Sequence, residues 1–124
     1  MKVLVCGSRD MPWHFLDLVI QTLRELEPRP TVVIEGEARG ADTLGKVAAI
    51  YDGITVQKFP ADWKTYGKKA GHLRNQQMLD ENPDLVIAFH PDTGITPGTR
   101  DMVTRANAKG TPVKIVTYPA EPPR

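Results

Sequence analysis

The sequence predicts an α/β protein, a Rossmann-like three-layer sandwich built on a five-stranded, mainly parallel sheet. Three observations carry that expectation. Five short runs rich in Val and Ile alternate with stretches whose apolar residues recur at helical spacing. The runs are mostly continuous rather than strictly alternating, as in strands covered on both faces. Small and charged residues gather just after the runs, at the strand ends where such folds place their ligands.

In chain order the expected strands are residues 2–6, 31–35, 55–59, 85–89 and 113–117. After the first comes a helix over 13–27, where Leu16, Val19, Ile20, Leu23 and Leu26 form one stripe and Pro28 and Pro30 stop it. Leu44, Val47, Ala48 and Tyr51 make a second stripe over 41–51, ended by Gly53. A third helix over 97–109 places Thr99, Met102, Val103 and Ala106 on one side and closes at Gly110. Right-handed crossovers between parallel strands favour the order 3-2-1-4-5, which sets the first and fourth strands side by side at a switch point.

The totals bound the function. A chain of 124 residues, 40% hydrophobic and 25% charged, fits one domain. We place that domain at 1–118, with a flexible proline-rich tail at 119–124. A net charge of +1 gives no global field to recruit nucleic acid or a membrane. Cys6 is the one cysteine, so neither an internal disulfide nor a cysteine metal site is expected. The apolar start MKVLVC is too short for a signal peptide or a span, which points to a cytoplasmic protein. His14, His72 and His90 lack metal-ligand spacing, and no metal or cofactor is expected.

Three loops fall on one rim if the order is right. CGSRD follows the first strand, EGEARGAD the second and HPDTGITPGT the fourth. Gly7 allows a tight turn, and Ser8 and Arg9 can donate to phosphate or ribose oxygens. Gly36 and Gly40 flank a turn that opens a helix, with Arg39 between them. Asp42 sits in that helix's first turn, either complementing its dipole or accepting from a sugar hydroxyl. Thr96 is a good N-cap and Pro97 a favoured first residue, leaving the N–H groups of Gly98 and Thr99 to face an anion. Arg100 and Arg105 read as solvated side chains.

The segment KKAGHLRNQQML adds a helix whose wheel puts Ala70, Leu73, Arg74, Gln77 and Met78 on one face. A guanidinium there either pairs with an internal carboxylate, snorkels out past the helix end, or meets an anion in the rim pocket. Trp63 nearby reads as a core plug or as a platform for a base.

The succession GSR, GEARGAD, FPADWKTYGKKAGHLRNQQML and DLVIAFHPDTGITPGTRDM resembles the YspA (cpYpsA-related) branch of the SLOG superfamily. The likeness runs over nearly the whole chain, and ADWxxxGxxAGxxRNxxM is its most specific part. It implies a Rossmann-like fold, a nucleotide-type ligand and a homodimer. The superfamily includes the Lonely Guy phosphoribohydrolases, the DNA-processing protein A family and sensor domains for NAD-derived signals. Lonely Guy enzymes carry M-x-x-R-K-x-x-M and later P-G-G-x-G-T-x-x-E. Arg74 takes the place of their arginine, and Gly98–Thr99 take the Gly-Thr place. Met102 stands where their glutamate would be, and methionine can neither activate water nor stabilise an oxocarbenium-like sugar. Asp101, next to it, points roughly 100° away on the wheel.

The expected ligand-binding set is therefore Gly7, Ser8, Arg9, Gly36, Arg39, Gly40, Asp42, Trp63, Arg74, Asn75, Thr96, Gly98 and Thr99. Arg74, Asp42 and Asp101 are the catalytic candidates, with Glu35 and Glu37 as further carboxylates. The first functional expectation is a domain that binds a nucleotide or its derivative as a sensor or sequestering protein. The alternative is an enzyme cleaving the N-glycosidic bond of a nucleoside 5′-monophosphate. A third is weak single-strand binding by Lys64, Lys68, Lys69 and Arg74 beside Trp63 and Tyr66.

Overall fold

A computed structural model describes residues 1–121; the last three residues of the expected tail, 122–124, lie outside the described residues. Five strands, β1 (Lys2–Gly7), β2 (Val32–Glu35), β3 (Thr55–Lys58), β4 (Leu85–Pro91) and β5 (Val113–Tyr118), form one sheet in the order β3-β2-β1-β4-β5. Every pairing is parallel. The helices are α1 (Leu16–Arg24), α2 (Ala41–Tyr51), the single turn α3 (Trp63–Tyr66), α4 (Ala70–Leu79) and α5 (Pro97–Lys109).

Each face of the sheet has its own core. Val3, Val5, Val33, Ile87 and Phe89 point towards α1 and α2, meeting Val19, Leu23, Leu44 and Ala48. Leu4, Cys6, Ile34, Val86 and Ala88 point the other way, onto Met78 and Leu79 of α4 and Met102 and Ala106 of α5. Successive residues of one strand thus feed opposite cores, which is why β1 and β4 read as unbroken apolar runs. Edge strands β3 and β5 are less covered, with Ile115 among the exposed apolar residues.

α2 and α5 keep the bounds read from sequence, because explicit stop and start residues frame both. The first helix is shorter than expected: residues 13–15 form a 3-10 turn, and α1 ends at Arg24 rather than running to Pro28. Arg24, its last residue, makes a two-pronged ion pair to Asp52, at 2.7 and 2.9 Å. The α conformation is disfavoured at Glu27, immediately before Pro28, so the helix stops short of it.

The order of strands fixes where a ligand can go. β1 and β4 are neighbours whose onward chains turn to opposite faces, so a crevice opens beyond Gly7 and Phe89. Gly7 has φ +153°, and a Cβ on it would fall 2.1 Å from the carbonyl oxygen of Phe89. No other residue allows so close a crossing, which lets the Ser8 N–H bond that same oxygen at 2.9 Å.

Candidate functional site

The crevice is a cavity of about 400 Å³. Its wall draws on the β1 loop (Gly7, Arg9, Asp10), the β2 loop and α2 (Ala38, Arg39, Asp42), α3 and α4 (Trp63, Arg74, Asn75) and the start of α5 (Thr96–Thr99). Loops expected to share a rim do share it. A cleft of this size suits a small-molecule ligand.

Arg74 forms its floor. The residue is only 8% exposed. Nη1 donates to the carbonyl oxygen of Gly36, and Nε donates to Asn75 Oδ1 at 3.3 Å. Nη2 makes no hydrogen bond to the described residues, and Arg74 is one of the residues that line the cavity. No carboxylate of the described residues comes within 4.0 Å of the guanidinium, so the internal ion pair is not formed among them. Burial pulls its pKa down, and Asp42 pulls it back up. Gly36 makes the seat possible, since a Cβ there would sit 2.5 Å from Nη1.

Asp42 is buried at the opening of α2, whose N-cap is Gly40 at φ +72°. Its Oδ2 accepts from the N–H of Gly36 at 3.1 Å and of Ala38 at 3.3 Å. The carboxylate therefore folds the β2 loop back on itself, a role beyond complementing the helix dipole. Burial pushes its pKa from 3.8 up to about 6, outweighing the opposing pull of Arg74 and the two N–H groups. A carboxyl that titrates there, at a cleft wall, can hold or release a proton near neutral pH.

At α5, Thr96 occupies the N-cap position with an extended backbone, but its hydroxyl meets the Thr99 hydroxyl at 2.8 Å and caps no N–H. The side-chain cap expected from sequence is thus not made. The N–H groups of Gly98 and Thr99 have no acceptor among the described residues, and both residues line the cleft. Asn75 ties this end to α4: its Nδ2 donates to Asp101 Oδ2 at 2.9 Å and to the carbonyl oxygen of Gly98 at 3.4 Å.

The remaining expected residues divide. Trp63 is not a core plug. It is 48% exposed at the cleft mouth, with the Arg9 guanidinium 5.5 Å from its ring centroid. Arg39 is exposed on the wall. Ser8 points away: it is buried, and its Oγ accepts from the Asp10 N–H at 3.2 Å. Asp101 is absent from the cavity wall, bound to Asn75 and to Arg105 Nε at 2.9 Å. Arg105 is accordingly a partner, not a solvated side chain, and also donates to Gln76 Oε1 at 3.0 Å. Met102 is sealed in the core.

The face of α4 also differs from the wheel. Ala70, Arg74, Asn75, Met78 and Leu79 are buried, while Leu73 and Gln77 are exposed. The helix turns its polar Asn75 edge inward because Asp101 and the Gly98 carbonyl satisfy it there. Sequence reasoning left Lys68, His72 and Asp10 out of the cleft, yet all three line it. Spacing held part of the signal, since positions 71, 72 and 75 of α4 lie on one helical face. Lys68, in the 3-10 turn 67–69 before it, and Asp10, in the β1 loop, carry no such spacing.

Glu35 ends β2 fully buried, behind this wall and not in it. Oε1 accepts from the Glu37 N–H at 2.8 Å, and Oε2 has no partner among the described residues. Burial pushes its pKa well up, and the Glu37 carboxylate adds to the rise. Burial likewise pushes the Cys6 thiol up, which keeps it protonated at neutral pH. The described residues include no cluster of metal-ligating side chains and no helix long and apolar enough to cross a membrane.

Comparison with known proteins follows the same lines. A model for the YspA, cpYpsA-related SLOG family matches residues 1–66. A gene 61 protein of Mycobacterium phage D29 is 36% identical over 120 residues, spanning 90% of this chain and 93% of the phage protein. Among solved structures, DNA processing protein A from Streptococcus pneumoniae aligns with a TM-score of 0.54 and 17% identity. That alignment covers 93% of this chain and 57% of the larger protein, and it shows a shared fold. With a family match over more than half its length and a close relative over nearly all of it, the chain belongs to the YspA, cpYpsA-related SLOG family.

Proposed function

We propose that the cleft binds a nucleotide or nucleotide derivative, with its phosphate between Arg74 and the start of α5. One observation carries this reading. A buried guanidinium with a free Nη2 shares a cavity with the unpaired N–H groups of Gly98 and Thr99. A phosphate answers both, by charge-assisted hydrogen bonds and by the positive end of a 13-residue helix. Arg9, Arg39 and Lys68 add positive charge at the mouth, and the Trp63 ring offers a face to a base. Membership of the family supports a nucleotide-related role. No catalytic step is needed, and the protein acts as a sensor or sequestering domain, working as a homodimer as the family resemblance implies.

Calorimetry with nucleoside mono- and diphosphates tests it. Binding that Arg74→Ala weakens by about 10- to 100-fold supports the reading, a charged hydrogen bond being worth ~1.5–3 kcal/mol. Binding indifferent to Arg74→Ala, in a variant still folded by circular dichroism, defeats it.

A second reading rests on Asp42, whose carboxyl lines the same cavity and titrates at about 6. In that reading Asp42 supplies the acid–base group for cleaving an N-glycosidic bond, a place Met102 cannot fill. Chromatography for free base after incubation with the four monophosphates, repeated with Asp42→Asn, separates binding from hydrolysis.

A further inference from the structure

A second cavity, of about 360 Å³, adjoins the first. The two share one wall, made by Arg9, Asp10 and Arg39. Beyond that wall the second cavity has an apolar base of Met11 and Leu44, both buried, and an indole, Trp13, that is 60% exposed. The first repeats the pattern, with Met78 at its base and the exposed Trp63 at its mouth. Neither Arg9 nor Arg39 makes an ion pair or a hydrogen bond to the described residues; Arg9 lies over the Trp63 ring instead.

An exposed tryptophan contributes little to a core, and two unpaired arginines on a ridge between two hollows contribute less. Together they match a ligand with two flat rings and an anionic link. Each hollow is large enough for one nucleoside-sized group, each indole can stack on a base, and guanidinium groups are suited to the phosphates between. Asp10 on the same wall repels excess negative charge, which favours a short bridge over a long polyanion.

On the reading that the first cavity takes a nucleotide, we propose that the two cavities together take a dinucleotide: two nucleosides joined through a short phosphate bridge. One base lies against Trp63 and the other against Trp13, and Arg9 and Arg39 hold the bridge.

The test compares AMP, GMP, CMP and UMP with the matching 5′–5′ dinucleoside triphosphates by calorimetry, on the wild type and on Trp13→Ala. The dinucleotide of the preferred base binds at least about tenfold more tightly than the mononucleotide. Trp13→Ala removes that gain and leaves the mononucleotide affinity unchanged. Equal affinities for the two ligand classes, or a gain that survives Trp13→Ala, overturn the proposal while leaving the first cavity's assignment intact. No binding by any monophosphate or dinucleotide defeats that assignment and this one together. Affinity that keeps rising with length in a series of single-stranded oligonucleotides assigns the paired hollows to a strand and overturns the dinucleotide.

Discussion

Replacing Asp42 by asparagine separates its charge from its hydrogen bonds. One oxygen, Oδ2, accepts from both Gly36 and Ala38, so an amide oxygen in its place keeps both bonds. What is lost is the buried negative charge. The folded pKa, about 6, lies above the ordinary 3.8, a difference worth ~3 kcal/mol. Because folding raises this pKa, the stability belongs to the protonated form. It is complete below about pH 4 and is lost as pH rises through about 6. Attraction to Arg74 is already contained in that balance. Glu35 titrates in both proteins, so its contribution largely drops out of the difference. Urea unfolding across this range therefore gives equal stabilities for Asp42→Asn and wild type near pH 4, and a variant more stable by ~2–3 kcal/mol near pH 8. A difference that stays flat with pH, or a variant that is weaker at pH 8, refutes the reasoning. Asp42→Ala serves as the contrast: the buried N–H of Gly36 loses its acceptor, at ~1–3 kcal/mol, and the part-buried N–H of Ala38 loses its own at a smaller cost.

Three further outcomes follow from the same geometry. Gly36→Ala puts a methyl 2.5 Å from Arg74 Nη1, so the guanidinium leaves its seat; nucleotide affinity measured by calorimetry falls about as far as in Arg74→Ala, by ~10- to 100-fold, while the fold holds. Met78→Ala opens a void between α4 and the sheet, and thermal or urea unfolding registers a loss of ~2–5 kcal/mol. Trp63→Ala leaves stability within ~1 kcal/mol, because the ring is half exposed, but weakens nucleotide binding by ~5- to 150-fold through lost stacking.

Much of the fold was legible because the sequence marks its own boundaries. Ala41 to Tyr51 runs between Gly40 and Gly53, and Pro97 to Lys109 between Thr96 and Gly110, so those helices were read to the residue. The switch point followed from strand order alone. Contacts across the sequence were harder. Nothing local says that Asp42 turns back onto the N–H groups of its own loop. Nor does it say that Asn75 reaches 26 residues ahead to Asp101. That bond draws a polar edge of α4 inward, which an apolar wheel cannot anticipate, and it hid Lys68 and His72 from the site. Trp63 was ambiguous for a related reason: its neighbour across the cleft, Arg9, comes from a loop 54 residues earlier in the chain.

The central claim, a phosphate seated between Arg74 and the start of α5, is tested most directly by NMR. Titrating the nucleotide preferred in calorimetry into isotope-labelled protein should shift the backbone amides of Gly98 and Thr99 and the Nε–H of Arg74 together, with one shared affinity. Binding that leaves these three signals in place while moving others would put the ligand elsewhere and contradict the account.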